Sequence, residues 1–253
     1  MKSSNEFIYG LRPVIETIIS GKTIERVFIR KGLRGALYFQ MMNELKKHSV
    51  PYQFVPVEKL NSISRKNHQG VIAWLSPIDY HDIFTILPGI YESGKQPFMV
   101  VLNNISDVRN FGAIARSAEC FGVNCIIIPE KGAARINAEA IKTSSGALTR
   151  IPVSRVKSII KTLEFLKDSG LSIITASEKG DKSIRDARVS GPAALVMGSE
   201  DRGISPEILK LTDQHLMIPM SGSIESLNVS VAAGILLYEI AGSMEQGAGR
   251  DER

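Results

Sequence analysis

LMIPMSGSIESLNVSVAAGILLYE, residues 216–239, is the stretch around which the rest of the chain arranges itself. It opens as a short apolar run, Leu216 to Pro219, and loosens into a polar loop, Met220 to Glu225. It closes in an apolar helical pattern that starts near Asn228. Ser226 or Asn228 can cap that helix, because each carries a side-chain oxygen for the orphan N–H groups of a first turn. Those N–H groups and the positive end of the helix dipole suit an anionic or acceptor-rich ligand. Ser230, Ala232, Ala233 and Gly234 are small enough for something to pack closely. Read alone, the stretch is a strand, a loop and a buried C-terminal helix. Two other stretches give it a functional reading.

Working outward, strands and helices alternate from Phe98 onward. Phe98–Leu102, residues 124–128, residues 171–176 and residues 193–198 read as buried strands, the first and last nearly continuous in apolar residues. Residues 113–121, 156–167 and 206–211 read as helices, the last capped by Ser205, with a short helix at 138–143. Such alternation predicts an α/β domain with a parallel sheet. Residues 7–74 read as a second, smaller α/β unit. In it a helix begins near Pro13, strands lie at 26–29, 52–55 and 70–74, and helices at 38–48 and 57–64. Pro77, Pro88, Gly89, Gly94 and Pro97 break the pattern between the two. The expected division is a first domain at 1–76, a linker at 77–96, a catalytic domain at 97–245 and a disordered tail at 246–253.

The net charge of +5 on 253 residues is compatible with a polyanionic partner. Lys22, Arg26, Arg30, Lys31 and Arg34, with Arg65 and Lys66 further on, are candidates for RNA phosphates or for a solvated basic surface. Cys120 and Cys125 lack the paired spacing of a zinc site and the four histidines are scattered, so both read as reduced core residues and no metal is expected. No apolar run approaches a membrane span and residues 1–7 carry no apolar signal region, which predicts a cytoplasmic protein.

Ligands of open α/β sheets sit beyond the carboxyl ends of strands, and three strands here end in unusual loops. The first runs from Asn103 to Arg116, with Asn110 as an expected helix cap. The second is Gly198 to Ser205. Its two glycines have the separation of a phosphate loop, but Ile204 stands where the lysine must be. No G-x-G-x-x-G fingerprint occurs, which argues against hydride transfer. The third loop is the opening stretch.

Together these loops resemble the motifs of the SpoU family of RNA 2′-O-ribose methyltransferases. Asn110-Phe111-Gly112-Ala113-Ile114-Ala115-Arg116 is similar to the first motif, with Ala118 and Phe121-Gly122 beyond it. Gly198-Ser199-Glu200 with Gly203-Ile204-Ser205 is similar to the second. Ile218-Pro219-Met220 followed by Ser226 to Ala232 is similar to the third. All three stand in the family order, from Phe98 to about Met244. Tyr9-Gly10 and His68-Gln69-Gly70-Val71 resemble the L30e-like RNA-binding domain of members that methylate a 23S rRNA guanosine.

The resemblance implies a SPOUT-type domain whose C-terminal segment threads a trefoil knot, which periodicity alone would never suggest. It implies S-adenosylmethionine as methyl donor, held by Gly198, Ile218 and Leu227 with Ala176 and Met220 nearby. It implies Arg116 as the residue assisting the ribose hydroxyl, with Asn110, Glu200, Ser226 and Asn228 orienting arginine, ribose or loops. It implies a homodimer and an RNA partner, 23S rRNA ahead of tRNA. A non-catalytic RNA-binding ribosome-assembly protein is the alternative of another class.

Overall fold

A computed structural model describes residues 7–199, 203–224 and 226–248. The chain forms two compact units, Met1–Asp79 with Ile136–Ala138, and Tyr80–Arg135 with Glu139–Arg253.

The first unit runs β1 (Phe7–Tyr9), α1 (Leu11–Ile19), β2 (Ile24–Arg30), α2 (Ala36–Lys47), β3 (Tyr52–Val55), α3 (Val57–Ile63) and β4 (Val71–Leu75). Its sheet has the order β1-β4-β2-β3. β2 and β3 are parallel, and β4 runs antiparallel to β1 and to β2. Side chains alternate across a strand. Val27 and Ile29 therefore pack with Val14, Ile15 and Ile18 of α1 and Met41 and Leu45 of α2, while Phe28 joins Val55, Leu60 and Ile72 on the other face. Both faces are covered, so β2 reads as an apolar run rather than an alternating strand.

The second unit runs α4 (Ile83–Glu92), β5 (Phe98–Asn103), α5 (Val108–Cys120), β6 (Cys125–Pro129), α6 (Ala138–Thr143), β7 (Val153–Val156), α7 (Ile159–Asp168), β8 (Ser172–Ala176), β9 (Lys182–Ser183), β10 (Ala193–Gly198), α8 (Pro206–Leu209), β11 (Gln214–Met217) and α9 (Val229–Ala248). Its seven described strands lie in the order β7-β6-β5-β10-β8-β11-β9, and every pair is parallel. One face is filled by Met99, Val101, Ile127, Ile173, Ala194 and Val196 against Leu163 and Leu166 of α7, Ile83 and Leu87 of α4 and Ile208 of α8.

Several expectations are corrected. Residues 77–96 are not a plain linker, because ten of them form α4 and bury Ile83 and Leu87 in the second unit's core. The periodicity missed α4 because Pro88 sits inside it. The helix expected from Val156 starts at Ile159, and Val153–Val156 is an edge strand. Asn110 does not cap α5. Asp107 does, accepting from the N–H groups of Arg109 and Asn110, so the helix begins five residues earlier than expected. Ser205 holds the cap position of α8, but its side chain makes no cap hydrogen bond. α9 extends to Ala248, which makes the first residues of the expected tail helical; residues 249–253 lie outside the described residues.

Candidate functional site

The central pair of strands sets the site. From β5 the chain moves outward through β6 and β7, then returns on the other flank through β8 before inserting β10 between β5 and β8. In open α/β sheets such a reversal is where a ligand crevice forms, here beyond the carboxyl ends of β5 and β10. Register places the three loops side by side there. Gly198 pairs with Asn103, Thr175 with Val196, and Ala176 with Leu216.

The first and third loops are joined directly. Asn228 Nδ2 donates to Asn110 Oδ1 at 3.1 Å, across 118 residues of sequence. The other end of the same amide caps α9, because Asn228 Oδ1 accepts from the Ser230 backbone N–H at 2.9 Å and from the Ser230 hydroxyl at 2.6 Å. Of the two cap candidates, Asn228 is therefore the one that works. Behind this junction α5 packs along α9. A Cβ on Gly234 would stand 3.6 Å from Ser117 Oγ, an ordinary contact, so the approach does not depend on that glycine.

The second loop folds back on itself. The Gly203 N–H donates to the Ser199 carbonyl at 2.8 Å, and a Cβ on Gly198 would collide with the Gly203 backbone. The glycine is needed by the loop's own return. Glu200 lies outside the described residues. The turn after β8 is fastened to β11. Ser177 N–H donates to the Leu216 carbonyl at 3.0 Å, Asp181 N–H to the His215 carbonyl at 3.1 Å, and Ser177 Oγ lies 2.9 Å from His215 Nε2. A Cβ on Gly180 would strike the Leu216 backbone. These contacts hold Ala176 beside the third loop.

Around the crevice the candidate cofactor positions are apolar and accessible. Ala176, Gly198 and Ile218 are half-buried, and Met220 and Leu227 are 39% and 37% exposed. Ser226 is exposed. Arg116 is exposed on the third turn of α5 rather than on its first turns. Six residues beyond Asn110, it lies about 9 Å further along the helix and roughly 120° round it. A single chain therefore joins Asn110 to Asn228, sets Gly198 and Ala176 at the carboxyl ends of the neighbouring strands β10 and β8, and holds Arg116 about 120° round α5 from Asn110. Among the described residues, no group of three or more His, Cys, Asp or Glu is placed to hold a metal ion, and no helix is long and apolar enough to cross a membrane.

In the first unit the basic candidates divide. Lys22 precedes β2, whereas Arg30, Lys31 and Arg34 stand at its far end, about 20 Å away along the strand. Arg26 is half-buried on the strand itself. At the far end the Arg30 N–H donates to the Gly70 carbonyl at 2.8 Å, so the loop carrying Arg65 and Lys66 leads to the same end. Sequence reasoning missed Asp107, Ser177 and His215. The first had a signal, an aspartate one residue before a helical pattern. The Ser177–His215 pair had none, since only strand register joins residues so far apart.

The pattern of the SpoU rRNA Methylase family matches residues 97–238, and that of an RNA 2′-O ribose methyltransferase substrate-binding domain matches residues 7–81. A Bacillus subtilis (strain 168) protein named as a TrmH family tRNA/rRNA methyltransferase, YacO, is 31% identical over 240 residues, 95% of this chain and 96% of that one. A Staphylococcus haemolyticus protein of the same family name is 33% identical, covering 92% and 94%. Among solved structures, the SpoU methyltransferase AviRb of Streptomyces viridochromogenes, crystallised with AdoMet, shares the fold at TM-score 0.58 and 23% identity, over 93% of this chain and 89% of that one. An AdoMet-bound rRNA methyltransferase of Sinorhizobium meliloti does so at TM-score 0.59 and 23% identity, over 92% and 85%. The A. aeolicus TrmH/SpoU tRNA modifying enzyme matches at TM-score 0.55 and 30% identity, over 61% and 78%. With both of its units matched and relatives 31% and 33% identical along more than nine-tenths of its length, the chain belongs to the SpoU rRNA methylase family of RNA methyltransferases.

Proposed function

We propose that the protein transfers the methyl group of S-adenosylmethionine to a ribose 2′-hydroxyl of a guanosine in 23S rRNA. The observation that carries this reading is the Asn110–Asn228 hydrogen bond, which ties the first motif to the third. The crevice suits such a methyl donor. Strand ends and loop backbone offer hydrogen-bonding edges for an adenosine, and the apolar Ile218, Met220 and Leu227 suit its thioether chain. We assign Ala176, Gly198, Ile218, Met220 and Leu227 to this role. The bound donor supplies an electrophilic sulfonium methyl; the protein's part is to place and activate the hydroxyl. Asn110 and Asn228 brace the loops, and we assign Ser226 of the third motif and Glu200 of the second to orienting ribose or arginine. Arg116 holds the adjacent phosphate and stabilises negative charge building on the 2′-oxygen. A guanidinium keeps its proton to a pKa above roughly 12, so Arg116 is not the free base of this step.

Arg116 stands about 120° round α5 from Asn110 within one chain, and this favours a site completed by a second copy. Val231, Ile235 and Tyr238 of α9 form a stripe at i, i+4 and i+7 that is 51%, 37% and 64% exposed. Such a stripe is the mark of a helix that buries a second face in a partner. We infer a homodimer through this stripe, each site drawing Arg116 to the other copy's loops. The trefoil knot of the C-terminal segment belongs to the same reading. The additional first unit favours an rRNA target over tRNA, although the relatives matched along the whole chain are named for both. The rRNA-named neighbour matches across 92% of the chain, while two neighbours whose descriptions name tRNA match across 61% and 58%. The test is to map 2′-O-methyls in the RNA of a strain lacking this protein and to restore them with purified enzyme and S-adenosylmethionine. A missing guanosine methyl in 23S rRNA is expected. A missing tRNA methyl would move the substrate, and unchanged RNA would remove the activity.

A further inference from the structure

We propose that the outer edge of β3 in the first unit is a stacking rail for an unpaired stretch of substrate RNA, with bases on Tyr52 and Phe54 and phosphates on the lysines at either end. This rests on the RNA methyltransferase reading above and adds where the RNA lies.

β3 ends the order of its sheet, so β2 is its one described neighbour. Edge strands are commonly shielded by charged side chains, prolines or bulges. β3, Tyr-Gln-Phe-Val, carries no charge and no bulge, and its prolines stand only at its two ends, Pro51 and Pro56. Its first three residues are exposed, and the two aromatic rings are 38% and 42% exposed. Tyr52 and Phe54 are two residues apart and so share a face, with ring centroids 5.7 Å apart and planes at 79°. The two rings leave a small accessible aromatic surface between the prolines that end the strand.

Charge identifies the cover. β3 is parallel to β2, with Phe54 opposite Ile29 and Val55 opposite Arg30. The Lys31 N–H donates to the Val55 carbonyl at 3.0 Å, which fixes Lys31 at the strand's carboxyl end, with Arg34 three residues on. At the other end α2 finishes in Lys46 and Lys47 and leads straight into Pro51 and Tyr52. The nearby acids are Glu25, buried on β2 two residues before the Val27 that pairs with Tyr52, Glu44, which faces His48 at 3.4 Å, and Glu58, in the first turn of α3. Positive charge at both ends of an aromatic pair fits a polyanion with flat bases, and fits a protein strand poorly. Stacking needs unpaired bases, so the ligand is single-stranded RNA rather than duplex.

The experiment uses the full chain and a labelled oligoadenylate, read by fluorescence anisotropy, with a duplex of the same strand length beside it. Tyr52→Ala with Phe54→Ala should weaken oligoadenylate binding by about tenfold or more per ring and leave duplex binding and the salt slope unchanged. Tyr52→Trp with Phe54→Trp should retain binding, since the rail needs only a flat face. Lys31→Gln with Lys47→Gln should flatten the salt slope by about 0.7 per lost contact. Wild-type affinity in the folded alanine variant overturns the proposal. So does an equal loss for duplex, or a change of oligomeric state with RNA binding intact, which would give the edge to a second copy. A wild-type chain that binds and methylates RNA while the alanine variant matches it sinks the rail alone. A wild-type chain that does neither sinks the reading beneath it as well.

Discussion

At the scale of residues, Asn228 uses the two ends of one amide for different purposes. Its oxygen caps α9 and its nitrogen reaches Asn110. The two can be separated. Asn228→Ser keeps a good cap residue but is too short to reach Asn110. The variant should unfold within about 0.5 kcal/mol of wild type, yet methyl transfer should fall, by up to about 10²-fold if the loops shift by an ångström. Denaturant unfolding and turnover check the two halves, and unchanged turnover would make the junction merely structural. Arg116→Ala should lower methyl transfer by about 10²- to 10³-fold with S-adenosylmethionine affinity nearly intact, because Arg116 is exposed on the third turn of α5, apart from the loops assigned to the cofactor. Calorimetry and a turnover assay give the comparison; near-normal turnover would remove Arg116 from the mechanism. The cysteines differ in the same local way. Burial pushes the Cys125 thiol up to about 12, while Cys120 is exposed. The protonated thiol is favoured in the fold, so Cys125 contributes stability below its ordinary value of 9.0 that is lost as pH rises toward 12. Iodoacetamide at pH 8 should label Cys120 alone in the native protein, and mass spectrometry of native Cys125 carrying label would contradict its burial.

At the scale of elements, α5 is the piece that couples fold to site. Asp107 sets where it starts, and that start decides which face Asn110 presents to Asn228. Asp107→Ala should cost about 1 kcal/mol of stability, the usual size of a lost N-cap, and should loosen the junction as well. A denaturation midpoint equal to wild type would show the cap to be dispensable. The second loop is an element of its own, closed by the Ser199–Gly203 bridge. Gly198→Val must push the Gly203 backbone away, so S-adenosylmethionine affinity should drop while the sheet stays folded. Equal affinity would place the cofactor elsewhere.

At the scale of the whole molecule, the two units differ in what they can do alone. A fragment beginning at Tyr80 should fold and bind S-adenosylmethionine, because it keeps α4 and the whole second-unit core. A fragment beginning at Pro97 loses Ile83 and Leu87, both essentially fully buried. At about 1.5–3 kcal/mol for each side chain, it should be several kcal/mol less stable. Comparison of the two by urea unfolding tests whether α4 is core or tether. Both fragments should bind RNA more weakly than the full chain and with a shallower salt slope, if the first unit reads the RNA. The alternation of apolar runs and helical periods from Phe98 onward was enough to establish the α/β class, because a buried parallel strand and an amphipathic helix each leave a local mark. The three motif loops were visible for the same reason, as glycines, caps and polar residues at strand ends. The start of α5 at Asp107, the helix hidden around Pro88 and the separation of Lys22 from Arg30 were not. They depend on which backbone groups find partners and on the length of strand between neighbours in sequence. The hydrogen bond from Asn228 to Asn110 and the fastening of Ser177 to His215 were beyond any local reading. Both join residues far apart in the chain, and only the order in which parallel strands insert into a sheet decides which distant loops meet.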